Sequence, residues 1–325
     1  MAEGEDERDR RYARSYQGLL NFCMENTKAE DAVGSESTDF NRMSEERKQW
    51  LEKAIAEMSE QDPVKAMMED LKVLQMDGDS DKEQEMKELA LEDLQEHCES
   101  MDCACDFHKI GGYAYITQLL KSDNEELKWR AAELLGTTVQ NNPYCQQVAL
   151  QLNYMPLLLK LIDNDPSDNV RVKGLYATSC LTREMKEAQE ILLQNDGFSV
   201  LMRAMQTNVE KLKVKAAFML TSLCQSQPKF KDVLCDMGMV EQLIALLRNE
   251  HNPFHEHLMS ALLTMVQDHL RCKQECQRGE LDLKVILEQR MELLNGKDEY
   301  LEEYQYAKEL LKICFGDTLC GEAER

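Results

Sequence analysis

Proline and glycine are scarce in this chain, at 6 and 14 of 325 residues. With Leu, Met, Glu and Lys abundant, that shortage of turn formers favours helix over strand. No run of 18 apolar residues occurs, so no segment qualifies as a membrane-crossing helix. The first ten residues, Met1 to Arg10, are charged and lack the apolar core of a secretory signal. The last five, Gly-Glu-Ala-Glu-Arg, form no retention signal or lipidation box. The expectation is a cytoplasmic protein, with the nucleus also open to it. Bases are outnumbered too: 38 Lys and Arg face 61 Asp and Glu, a net charge of −23. A chain this acidic is repelled by nucleic acid and by anionic lipid, which argues against both as partners.

Motifs of catalysis are also missing. There is no glycine-rich phosphate loop, Rossmann fingerprint, nucleophile elbow or HExxH zinc helix, so neither an enzyme nor a cofactor is expected. The twelve cysteines are expected to be thiols, many of them inside apolar runs where a thiol acts as a small hydrophobe. His97, Cys98, Cys103, Cys105 and His108 include both zinc ligand types. Their helical spacing, interleaved with Met101, Ala104 and Phe107, reads as burial rather than a metal knuckle. Asp77, Asp79, Asp81 and Glu88 mimic four positions of an EF-hand loop, but Lys82 stands where that loop needs glycine. His251, His255 and His257 around Asn252-Pro253 read as surface and capping histidines.

What the chain does have is a repeat. The phrase Leu127-Lys-Trp-Arg130-Ala131-Ala132 recurs as Val170-Arg-Val-Lys173-Gly174-Leu175 and Leu212-Lys-Val-Lys215-Ala216-Ala217, and Lys87-Glu-Leu-Ala90-Leu91 aligns ahead of it. A second column, Gly112, Asn153, Gly197 and Gly238, opens apolar runs at spacings of 41, 44 and 41. Such a period belongs to helical arrays in which no repeat can bury its apolar face alone. The expected fold is all-α, an armadillo-like right-handed helical solenoid of about four repeats with helical caps at both ends.

The chain divides accordingly. Residues 1–42 read as mostly disordered, interrupted by an apolar motif at 16–24 that either docks on the folded body or is offered to a partner. Residues 43–76 read as N-terminal capping helices, with Asp62-Pro63 starting the second. Residues 77–86 read as an acidic loop, 87–270 as the repeats, and 271–325 as C-terminal capping helices and tail. Helix starts inside the array are marked by Asn142-Pro143, Asp165-Pro166, Gln227-Pro228 and Asn252-Pro253.

Read by column, the array points to a binding surface. Arg130, Lys173 and Lys215 fall at one position of the third helix of successive repeats. Either they form a row of cations for an acidic protein surface, or they are an exposed basic edge or local ion pairs within repeats. Seven residues further on come Thr137, Cys180, Ser222 and Thr264, and one turn before those Glu133, Tyr176, Phe218 and Ser260. Armadillo proteins that thread extended peptides use asparagine near the first column, often with tryptophan a turn earlier. Neither is present, so a folded partner fits better.

The phrases Met43-Ser-Glu-Glu-Arg-Lys-Gln-Trp50-Leu51, Asp196-Gly-Phe-Ser-Val-Leu-Met-Arg-Ala-Met205, Lys211-Leu-Lys-Val-Lys215 and Pro253-Phe-His-Glu-His257 resemble the cytosolic heat-shock protein 70-binding family of armadillo-type nucleotide exchange factors. The likeness runs from about Gln17 to the C-terminal helices. It implies a monomeric co-chaperone that wraps its concave face around one lobe of the chaperone's ATPase domain and speeds ADP release. It also implies that Ala104 is a small residue packed close to the chaperone and Lys215 a basic groove contact, although Cys103 replaces an expected asparagine. Arg130 and Lys173 join them from the column. The resemblance further implies that the N-terminal motif, with Leu19, Leu20 and Phe22, aids substrate release. The alternative is an armadillo adaptor for an acidic partner or a ubiquitin-ligase complex, without exchange activity.

Overall fold

The computed structural model describes residues 62–76, 78 and 80–316. The motif at 16–24, the first capping helix, Asp77, Asp79 and the tail beyond 316 lie outside the described residues. The chain divides into two compact units, Met1–Ala66 and Met67–Arg325, and the description concerns the second apart from the start of α1.

Helix α1 (Pro63–Leu74) begins where Asp62 accepts from the Val64 amide at 3.0 Å, with proline at the first helical position. Helix α2 (Asp81–Cys98) follows. Its first turn is closed by a reciprocal box in which Ser80 accepts from the Glu83 amide and Glu83 answers the Ser80 amide. The acidic loop expected over 77–86 therefore ends at Ser80, because this box makes Asp81 the first helical residue.

Five three-helix units come next: α3–α5 (Met101–Lys109, Gly112–Leu119, Glu125–Val139), α6–α8 (Pro143–Gln151, Tyr154–Asn164, Asp168–Thr182), α9–α11 (Lys186–Gln194, Gly197–Met205, Glu210–Ser226), α12–α14 (Phe230–Asp236, Met239–Leu247, Phe254–Val266) and α15–α17 (Leu270–Cys276, Leu283–Leu294, Leu301–Phe315). Among the described residues all regular structure is helical. The third helices stack in sequence, α2 on α5, α5 on α8, α8 on α11, α11 on α14 and α14 on α17. The three-helix arrangement thus continues through 270–315, where the sequence phrase has faded.

The corner between first and second helices explains the period. Gly111, Asn153, Asp196, Gly238 and Asp282 all sit there at φ between 51° and 90°, a left-handed conformation that Gly, Asn and Asp tolerate best. The opener column read from sequence is one residue late at Gly112 and Gly197. These two begin second helices, and a Cβ on them would lie 2.3 Å from the Phe107 ring and 2.4 Å from Leu192. Realigned, the spacings become 42, 43, 42 and 44, and the column gains Asp282.

Other starts shift. Asn142 caps as expected, through the Cys145 amide, whereas Asn252 accepts from the Phe254 amide two places on and Pro253 is the N-cap of α14. Asp165 instead accepts from the Ser167 amide, so α8 begins at Asp168, and Gln227 ends α11 before α12 begins at Phe230.

Small residues let the third helices approach. Ala90, Ala131, Gly174 and Ala216 occupy one register, all buried. At Gly136 the approach is closest, since a Cβ there would stand 2.5 Å from the Tyr176 ring. A column invisible to hydrophobic patterning closes the third helices. Gln146 donates to the carbonyls of Cys180 and Arg183 at 2.9 and 3.0 Å, Gln189 to Thr182 at 2.9 Å, and Lys231 to Gln267 at 2.7 Å. Each satisfies carbonyls that a helix end leaves without an internal partner.

Candidate functional site

The stacked third helices share one face, and the cation column runs along it. Each column residue reaches back to the residue three places along the preceding third helix. Arg130 pairs with Glu92, with Glu88 at 3.6 Å, and stacks 4.6 Å from the Trp129 ring centre. Lys173 pairs with Glu133 and lies 5.5 Å from the Trp129 ring. At the third rung the partner is no longer a carboxylate: Lys215 lies 5.8 Å over the ring of Tyr176. In the same register the fourth rung sets His257 opposite Phe218.

The face therefore changes character along its length. Over the first two units the cations are neutralised inside the array, by carboxylates of the preceding third helix rather than within one repeat. From α8 onward the carboxylates give way to aromatics. Lys215 is exposed and keeps its charge available, since a ring offers a cation only a weak attraction at this distance. The Tyr176 hydroxyl donates to Gln140 Oε1 at 3.0 Å, which fixes the ring beneath Lys215. Burial pushes the Tyr176 phenol up to about 12, so the ring stays neutral.

Phe218 is 59% exposed, although aromatics of this size are usually covered. It forms a ridge between two clefts. One, of about 350 Å³, is walled by Leu175, Tyr176, Cys180, Val214 and Lys215. The other, of about 410 Å³, is lined by Glu184, Thr221, Ser222, Gln225, His257 and Ser260. Arg183 borders both. Its side chain, like that of Lys215, makes no hydrogen bond or ion pair among the described residues.

Not every expected residue joins this face. Ala104 is 1% exposed, one of the two residues that α3 buries, with Phe107 three places on. It presents no surface to a partner, because its spacing from Phe107 places both on the core side of the helix. In the Thr137, Cys180, Ser222 and Thr264 column only Ser222 is exposed; Thr264 donates to Ser260 O at 2.9 Å and burial raises the Cys180 thiol. Leu19, Leu20 and Phe22 lie outside the described residues.

The histidines separate as well. His255 is buried at 1% exposure rather than on the surface, and burial followed by the nearby Arg290 and His251 pushes it down to about 4. His251 meets the buried carboxylate of Glu303 at 2.9 Å, and Arg290 meets it at 3.4 Å. In the would-be zinc cluster Cys98 is buried and His108 pairs with the Tyr144 hydroxyl at 2.7 Å. Among the described residues no three ligating side chains converge on a metal position.

Phe218 and Arg183 are what column reading undervalued. Phe218 appears in the sequence only as the absence of a peptide-gripping tryptophan. Arg183 sits at the C-cap of α8, where the equivalent residues are Gln140, Gln227 and Gln267. That single charge in a column of glutamines was a usable signal.

Comparison with known proteins places the array. Residues 16–107 match the family described as nucleotide exchange factor Fes1, and residues 103–237 match the SIL1/FES1/HPBP1 C-terminal domain. The chain is 42% identical over 324 residues to the Hsp70-binding protein 1 of Mus musculus, covering 96% of this chain and 89% of that one. Identity to the Homo sapiens protein of the same name is also 42%, covering 96% and 88%. The Hsp70 nucleotide exchange factor FES1 of Eremothecium gossypii is 29% identical over 175 residues, or 52% of this chain and 61% of that one. Among solved structures, a designed armadillo repeat protein superposes with a TM-score of 0.60 at 17% identity, covering 76% of this chain and 98% of its own. That likeness gives the fold, and no described helix is long and apolar enough to cross a membrane. With the sequence identity beside it, this armadillo array belongs to the Hsp70-binding protein 1 and Fes1 family of Hsp70 nucleotide exchange factors.

Proposed function

We propose that the chain is an Hsp70 nucleotide exchange factor that grips the chaperone's ATPase domain with the face shared by its third helices. The observation that carries the reading is the change along that face, from internally neutralised cations to an available Lys215 beside exposed Phe218. Such a surface combines an apolar centre with unpaired positive charge, suited to a folded acidic partner. No covalent bond is made or broken. The factor holds one lobe of the ATPase domain displaced from the other, so that ADP loses contacts and leaves. Its effect is bounded by its preference for the open lobe arrangement, and a tenfold shift requires about 1.4 kcal/mol.

The same reading places the protein in the cytosol. It also gives the N-terminal segment a part: residues 16–24 compete for the chaperone's substrate site, and replacing Leu19, Leu20 and Phe22 with Ser slows substrate release without changing ADP release. The test of the main claim is stopped-flow release of a fluorescent ADP analogue from Hsp70. Release accelerates and saturates with added wild-type protein. An unchanged rate at saturating protein overturns the proposal.

A further inference from the structure

We infer that docking is anchored on a saddle formed by Phe218 and Arg183, and that the partner straddles it with an acidic side chain in the cleft that Lys215 and Arg183 share. This rests on the exchange-factor reading and names the part of the face that sets affinity. Three observations converge. Phe218 is exposed on an ordered helix, flanked on both sides by clefts large enough for a side chain. The cleft on the α8 side joins apolar walls to two cations without carboxylate partners, Lys215 and Arg183, so it selects a carboxylate on an aliphatic stem. The cleft on the α14 side mixes hydroxyl and amide groups with Glu184, Arg183 and His257, so it selects no single charge.

Position argues the same way. Arg183 stands where α5, α11 and α14 end in glutamine, at the one place where it overlooks both clefts. Glu92 and Glu133, the carboxylates that silence the earlier cations, have no counterpart here, because Tyr176 and Phe218 occupy their register. Binding energy concentrates where an aromatic anchor is ringed by groups that exclude water, and the first two rungs lack such an anchor.

The two halves of the saddle leave different kinetic marks. An apolar anchor acts on dissociation, whereas an exposed cation steers association and responds to salt. The experiment is surface-plasmon binding of the Hsp70 ATPase domain to the full chain at two salt concentrations, with wild type, Phe218→Ala and Arg183→Gln. Melting temperature is measured for each. Phe218→Ala dissociates about thirtyfold faster with unchanged salt dependence. Arg183→Gln, which restores the column's glutamine, associates more slowly and with a shallower salt dependence. Wild-type affinity for Phe218→Ala, or unaltered salt dependence for Arg183→Gln, overturns the saddle while leaving exchange activity intact. Failure of the wild type to bind and to accelerate ADP release overturns the exchange reading instead.

Discussion

Replacing Lys173 and Lys215 one at a time separates a cation that holds the array together from one that meets a partner. Lys173 Nζ pairs with Glu133, and the two side chains are 31% and 20% exposed. A pair so placed contributes about 0.5–1 kcal/mol, and the approach to the Trp129 ring adds about 0.5. Lys173→Met keeps the packing of the stem but loses both, for a net cost of about 1 kcal/mol and a melting temperature lower by about 2–4 °C. A double-mutant cycle with Glu133→Gln returns a coupling of about 0.5–1 kcal/mol, falling as salt is raised. Lys215 has no carboxylate to lose and lies 5.8 Å over Tyr176, so Lys215→Met shifts the melting temperature by less than about 2 °C. Calorimetry of the variants, followed by ADP-analogue release from Hsp70, reads both effects. Lys173→Met melts earlier and still accelerates release; Lys215→Met melts normally and accelerates it less. If Lys173→Met impaired exchange as much as Lys215→Met at an unchanged melting temperature, the division of the face into neutralised and available halves would be wrong.

Other tests follow from the packing. Gly174→Ala, whose Cβ would meet its nearest neighbour at an ordinary 3.4 Å, stabilises by about 0.5–1 kcal/mol through helix propensity, while Gly136→Ala destabilises because its Cβ falls 2.5 Å from the Tyr176 ring; chemical denaturation orders the two. Gln189→Leu takes the 2.9 Å donor from the Thr182 carbonyl, leaving it the Met185 amide at 3.4 Å, and strips the Gln227 side-chain amide of its acceptor, for a cost of about 1–3 kcal/mol, read in the same way. His255 gives a pH dependence. Its folded pKa, about 4, lies below the ordinary 6.5. The unfolded chain therefore takes up the proton first, and stability is lost as pH falls from 6.5 toward 4, with no contribution above 6.5. The scale is about 1.4 kcal/mol per pH unit within that window. A melting temperature in wild type that is no more acid-sensitive over that window than in His255→Leu removes this account.

The sequence made the array legible because its repeats write their third helices in the same small-residue and cation columns. Arg130, Lys173 and Lys215 could be aligned without coordinates. Their roles could not, because the deciding residue sits one repeat earlier and three places on: Glu92, Glu133 or Tyr176. Ala104 is ambiguous for a similar reason. A small residue suits close approach by a partner or by the chain's own core, and only packing distinguishes them. The last three-helix unit was hidden because 3-10 turns at Gly279–Leu281 and Asp298–Tyr300 interrupt it, so its third helix starts 47 residues after that of the preceding unit although Asp282 keeps the corner conformation.

The most direct test of the account is to map what the chaperone covers. Lysine labelling of the full chain, quantified by mass spectrometry with and without saturating Hsp70 ATPase domain, reads the face residue by residue. Lys215 should become several-fold less reactive in the complex, while Lys186, exposed on the first helix α9, and Lys229, exposed at the N-cap of α12, keep their reactivity. Protection of Lys186 and Lys229 with Lys215 still fully reactive would place the chaperone on another surface and contradict the account.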